Sequence, residues 1–328
     1  MRLIDKWVRY MLFFMMTIIL FLLLTSGLDY LGKNEYLQPN IVLLVCDIIV
    51  FLIILGGGIA LRKFKYCFEC YCDILVIIMT ILLFCIEMYI AYNIHFITGW
   101  DANAVWHNAW NIAFLNGVDL NNYYYSQNPN NLLITSIAAL ILKVNSAIGV
   151  FRGEDEYLSL VFVNCVFISM ACFLVYKILK YFVSKIFAFA GFILSVLLIG
   201  LSPWMIIYYS DTLGILFPVL MIYIFIRPAE GKWKNAIKYF AIFLLASFGY
   251  YIKPQVLITI IAIFIIQMCY GILKGKKEIF VNLLLILGMV LCFIVVGRYL
   301  DAVHEKEGFV LDDGARFGMT HYFMMGLN

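Results

Sequence analysis

Charge is scarce in this 328-residue chain. Only 13% of the residues are Asp, Glu, Lys or Arg, while 65% are hydrophobic. Soluble domains carry about 25% charged and 45–50% apolar residues. A water-soluble core could not hide this much apolar surface, which excludes a soluble enzyme, a disordered chain and a nucleic-acid-binding domain. An excess of one sign is lacking as well. The formal net charge of +3 is too small to imply a polyanionic partner. The four histidines, His95, His107, His304 and His321, show no metal spacing such as H-E-x-x-H. Nine cysteines are an ordinary number, and most fall inside apolar runs, so they do not form a disulfide framework. Cys67, Cys70 and Cys72 lack a nearby fourth ligand of the kind a structural zinc site needs, so reduced or acylated thiols are expected. No small-residue cleavage pattern follows the first apolar run, which reads as a retained span. There is no internal repeat and no linker, so residues 1–328 read as one module.

What is present is a series of apolar runs. At ~20 residues per crossing they form a polytopic all-α membrane protein of about nine to ten segments. The runs cover about 7–28, 41–61, 74–97, 131–150, 157–176, 187–203, 212–226, 237–252, 254–273 and 279–299. Only helices satisfy every backbone amide within such segments in lipid. Basic clusters flank them at Arg2/Lys6/Arg9, Arg62/Lys63/Lys65, Lys177/Lys180/Lys185, Arg227/Lys232/Lys234/Lys238 and Lys274/Lys276/Lys277. These hold 16 of the 23 basic residues. If they face the cytoplasm, the N-terminus is inside and segments 29–40, 98–130, 204–211 and 301–328 are outside. One parity conflict follows. Two runs separate the outside loop 98–130 from the inside cluster at Lys177. The expected resolution is that 131–150 is a re-entrant or half-buried element. The chain stops at Asn328 straight after a polar external stretch, which reads as a missing C-terminal part.

The outside segments carry the candidate chemistry. Residues 98–110 (TGWDANAVWHNAW) place Asp101 at the start of a helix, where it serves either as a cap or as a general base. Trp106 and Trp110, four apart, suit an interfacial anchor. Residues 116–131 mix Asn, Gln127, Tyr and Pro, a blend that suits sugar hydroxyls and C–H faces and equally suits a turn-rich surface. Residues 202–212 present Tyr208, Tyr209 and Asp211. Lys253 sits at an outer helix end against the positive-inside trend, either snorkelling or meeting a phosphate. Arg298 and Arg316 are weaker cases of the same kind. Asp47 and Glu87 lie within spans, and intramembrane acids are functional candidates by default. A transporter or lipid flippase using these two is the competing class.

Taken together, Asp101 in the first large external loop, the Tyr-rich run leading to Pro129-Asn130-Asn131, Ser202-Pro203 followed by Tyr208-Tyr209-Ser210-Asp211, and Lys253-Pro254 resemble the GT-C integral-membrane glycosyltransferases. The resemblance is to the protein O-mannosyltransferase and aminoarabinose-transferase branch, and it spans roughly residues 95–260. Two spans within 1–73 precede the usual first one, and the expected C-terminal spans are absent. The resemblance implies a polyprenyl-phosphate sugar as donor and a glycan, lipid or protein acceptor. It implies inverting transfer on the external face of the plasma membrane. Asp101 would be the general base, and Lys253, with Arg298 or Arg316, would stabilise the leaving phosphate. Asp211 would orient the acceptor or hold a divalent cation, with no other cofactor implied. Asn103, His107, Gln127, Tyr208 and Tyr209 would bind sugar hydroxyls.

Overall fold

The computed structural model describes residues 65–315, and all of these but Lys65 lie in the larger of two units into which the chain divides, Tyr66–Asn328. The expected spans at 7–28 and 41–61, Asp47 and Arg316 lie outside the described residues. The described residues are helical throughout, without a strand among them. Eleven α-helices follow in order: α1 (Lys65–Ile94), α2 (Trp100–Phe114), α3 (Asn122–Gln127), α4 (Leu132–Ile148), α5 (Leu158–Leu179), α6 (Lys185–Ser195), α7 (Ser210–Gly214), α8 (Leu216–Ile226), α9 (Lys232–Ile252), α10 (Leu257–Lys274) and α11 (Lys276–Glu307). Six stretches are long and apolar enough to cross a membrane: 69–94, 129–148, 155–179, 233–252, 254–273 and 279–307. Two shorter apolar helical stretches, 185–200 and 210–226, occupy the other two expected positions. Large apolar side chains such as Ile81, Ile265 and Leu287 stay exposed along α1, α10 and α11, as a lipid-facing surface requires.

Polar contacts gather the helix ends into two poles. At the first, Asp73 near the start of α1 binds Lys180 after α5 and Lys185 at the start of α6. Lys180 and Arg227 line one cavity, which brings the end of α8 to the same pole. Lys238 of α9 donates to the carbonyls of Phe225 and Arg227, while Gln267 of α10 donates to the Tyr239 hydroxyl and Asn282 of α11 donates to the Gln267 carbonyl. At the second pole, Lys253 after α9 pairs with Asp211 of α7, Tyr209 bonds Asp101 of α2, and Ser136 of α4 bonds Glu307 at the end of α11. Helix α5, with 22 residues, is about 33 Å long at 1.5 Å per residue, enough for a hydrocarbon core of about 30 Å.

Helix α4 bears on the parity conflict. The 131–150 run is not an irregular element. It is a continuous helix that stops at Gly149, whose φ of 75° is the left-handed closure a glycine supplies. The Tyr208 hydroxyl donates to the Ile134 carbonyl at 3.2 Å, and the Tyr208 amide donates to the Tyr157 hydroxyl at 2.9 Å. The start of α4 and the residue before α5 are therefore held by one tyrosine, so residues 135–156 leave this level and return to it. Asn145 fixes the turn-back by bonding both the amide and the carbonyl of Phe151.

Two boundaries differ from expectation. Helix α11 does not stop near residue 299. It continues through Asp301, His304 and Glu305 to Glu307 and closes at Gly308, φ 97°. Its polar last turns continue the helix beyond the apolar run because Glu307 is anchored by Ser136 at 2.6 Å. Helix α2 begins at Trp100, so Asp101 is inside the first turn and Gly99 is the cap residue.

Candidate functional site

Helix α2 buries Ala102, Val105, Ala109 and Ile112, a stripe with helical spacing, and packs along α4. Trp106 on its flank meets Tyr157 edge-on, ring centroids 5.4 Å apart. This fixes the rotation of the helix and hence the direction of Asp101. The carboxylate makes no capping bond. Its Oδ2 accepts the Tyr209 hydroxyl at 2.8 Å, and Oδ1 has no hydrogen bond among the described residues. Position 101 still lies in the first turn, where the positive end of the helix dipole favours a negative charge.

Tyr209 is the hub. Its extended backbone precedes α7, and its amide donates to Thr212 Oγ1 at 3.3 Å. Its phenol donates to Asp101 and receives the Asn131 Nδ2 donor at 3.4 Å. Asn131 is buried and also donates to the Tyr124 hydroxyl at 2.6 Å. Lys253 Nζ stands 6.0 Å from the Tyr209 ring centroid and 2.7 Å from Asp211 Oδ1. Lys253 is extended, as a residue before proline prefers, and its stem lies against Gly214, where an added Cβ would meet Lys253 Cβ at 3.2 Å. Asp101, Asp211 and Lys253 are thus joined through the ring and hydroxyl of one tyrosine.

Burial pushes the Tyr209 phenol far above its ordinary value, and the bond it donates to Asp101 acts in the same direction. Burial also raises the Tyr124 phenol, and the nearby Asp101 charge adds to this. Both phenols therefore remain protonated, which makes Tyr209 a donor and leaves Asp101 as the group able to take a proton. The sign for stability follows. Above about pH 10 an unfolded tyrosine releases its proton while Tyr209 keeps it, so stability falls as the pH rises. Tyr209→Phe is expected to make that fall shallower by one proton, read from unfolding midpoints between about pH 9 and pH 11. An unchanged slope would contradict it.

The other sequence candidates lie elsewhere. Tyr208 is 1% exposed, and its hydroxyl is committed to the Ile134 carbonyl. It is a core tie. Asn103 and His107 are exposed and fall between the buried positions of α2, so the helix turns them away from its packed stripe. Gln127 donates to the Tyr123 hydroxyl at 2.9 Å in an exposed pair. Arg298 is exposed along α11 and has no contact with the hub among the described residues. Asp211 Oδ1 is engaged by Lys253. Among the described residues no three of His, Cys, Asp or Glu converge as a metal set.

Sequence reasoning missed Asn131 and Tyr124 as members of the cluster. The available signal was an asparagine directly before an apolar run, since a polar group at that depth must find a partner. Glu87 is fully enclosed on α1, with Ser169 donating to Oε2 at 2.8 Å and no hydrogen-bond partner for Oε1 among the described residues. A protein-family model described as "Conserved hypothetical integral membrane protein" matches residues 1–328. No curated protein and no solved structure matches the chain.

Proposed function

The chain belongs to that family of integral membrane proteins, and on this premise we propose that it is a GT-C-type glycosyltransferase of the plasma membrane. In this reading about nine to ten segments cross or enter the bilayer, the N-terminus is cytoplasmic and the Tyr209 pole is external. The donor is a polyprenyl-phosphate sugar, and the acceptor is a hydroxyl of a cell-envelope glycan, lipid or protein. The observation that carries the reading is the Tyr209 hub, which holds a carboxylate at its hydroxyl and a cation beside its ring.

The acceptor oxygen attacks the anomeric carbon as the bond from that carbon to the phosphate oxygen breaks, inverting the centre. The acceptor proton passes to Asp101 Oδ1, the oxygen with no other donor among the described residues. The electron pair leaves with the lipid phosphate. Lys253 exchanges Asp211 for that phosphate and offsets its charge, while Tyr209 and Asn131 keep Asp101 oriented. Arg298, exposed along α11, is given no part in this step.

The test is reconstitution in vesicles with a panel of polyprenyl-phosphate sugars and an envelope-derived acceptor. Sugar-dependent release of lipid phosphate is the expected result, and no release with any donor would count against the reading. The enclosed Glu87, with one unpartnered oxygen, favours transport as the second reading. Movement of a lipid-linked sugar across the vesicle wall without cleavage would support it.

A further inference from the structure

The first pole holds a feature that glycosyl transfer at the second pole does not use. A cavity of about 300 Å³ opens between the end of α5 and the end of α8, lined by Lys177, Lys180, Tyr181, Tyr223 and Arg227. Lys180 is bound to Asp73. Among the described residues no carboxylate pairs with Lys177 or Arg227. Each of these two lies instead over an aromatic ring of its own helix: Lys177 Nζ is 5.6 Å from the Phe173 centroid and Arg227 Cζ is 5.4 Å from that of Tyr223. Such stacking fixes a cation without neutralising it, and the N–H donors stay available for an anion.

Helix dipoles and snorkelling account for single cations at the ends of apolar helices. They do not account for cations from two separate helices facing one cavity, with two phenols between them. The depth of the site indicates what it takes. The cavity sits where the apolar stretches 155–179 and 210–226 stop. Next in sequence to the lining residues Tyr181 and Tyr223, Phe182 is 69% exposed and Ile222 37% exposed. A ligand here meets cations and hydroxyls at the ends of two apolar stretches.

We propose that this cavity binds the phosphate headgroup of an anionic membrane phospholipid, with Lys177 and Arg227 on the phosphate and Tyr181 and Tyr223 offering hydroxyls to the glycerol end. The proposal is independent of the glycosyltransferase reading. The test uses the full chain in phosphatidylcholine nanodiscs containing graded phosphatidylglycerol, with retained lipid counted by native mass spectrometry. The unaltered protein is expected to retain phosphatidylglycerol in preference to phosphatidylcholine. Each cation near the surface contributes about 1 kcal/mol, roughly fivefold, so Lys177→Gln with Arg227→Gln is expected to weaken retention by about 25-fold. Arg227→Lys keeps most of it, and Lys143→Gln, an exposed cation on α4, leaves it unchanged. If the double variant fails to fold in phosphatidylcholine alone, the single variants are read, each with an expected loss of about fivefold. Undiminished retention in the folded variants would overturn the proposal. So would equal stabilisation by inorganic phosphate without lipid, which would mark the cavity as a site for a soluble anion.

Discussion

Asp101→Asn is expected to lower sugar transfer by about 10²–10⁴-fold, the range of positioned general-base catalysis, with the unfolding midpoint almost unchanged. The substitution is nearly isosteric. An amide oxygen at position 101 still accepts the Tyr209 hydroxyl, so the 2.8 Å contact and the docking of α2 survive. What is lost is the capacity to take a proton from the acceptor. Steady-state release of lipid phosphate in vesicles, with expression and midpoint measured in parallel, separates the two effects. Transfer within a few-fold of the unaltered protein would remove Asp101 from the mechanism. Tyr209→Phe is the informative partner. It frees the carboxylate from its donor but leaves the carboxylate itself in place, so its loss of activity is expected to be smaller than that of Asp101→Asn.

The second large effect is structural. Gly117→Ala is expected to destabilise the protein by about 2–5 kcal/mol, combining a left-handed backbone penalty with overpacking. Gly117 has φ 76°, and a Cβ there would lie 2.4 Å from the backbone oxygen of Glu307. That obstacle is main chain and cannot rotate aside. Helix α11 would have to retreat, loosening Glu307 from Ser136 and the Val310 amide from Asn122 Oδ1, a 3.0 Å bond. Gly99→Ala is the control, because nothing lies within 4 Å of a Cβ at that position. Unfolding midpoints in one detergent would show the contrast. Equal midpoints for the two variants would refute the claimed close approach.

Much of the bundle was legible because lipid imposes a coarse rule: long apolar runs must be helices. That rule located every described helix that is long and apolar enough to cross, and it marked 98–110 as a helix start. The pairing of Lys253 with Asp211 was approached through the unusual position of a lone cation. Side-chain direction was less legible. Tyr208 and Tyr209 are neighbours on extended backbone and point to opposite sides, one into the core and one into the cluster. Sequence alone offered no reason to choose between them, because the choice is made by Ile134 and Tyr157, far away in the chain. Asn103 and His107 were decidable in principle. The stripe Ala102, Val105, Ala109 and Ile112 has helical spacing, and neither residue falls on it. In the sequence Asn131 reads only as part of the entry to a helix, because its partners, Tyr124 and Tyr209, come from two separate connections.

The bonds that close the Asp101 lobe have a temporal meaning. The Asp312 amide reaches back to Ser126 Oγ across 186 residues of chain, and Glu307 reaches Ser136 across 171. At about 5–20 residues per second, a ribosome delivers the later partner roughly 10–40 s after the earlier one. During biosynthesis Ser126 and Ser136 therefore wait for these late partners with only their local bonds to Asn122 and Leu132, and the arrival of the last described helix latches the lobe shut.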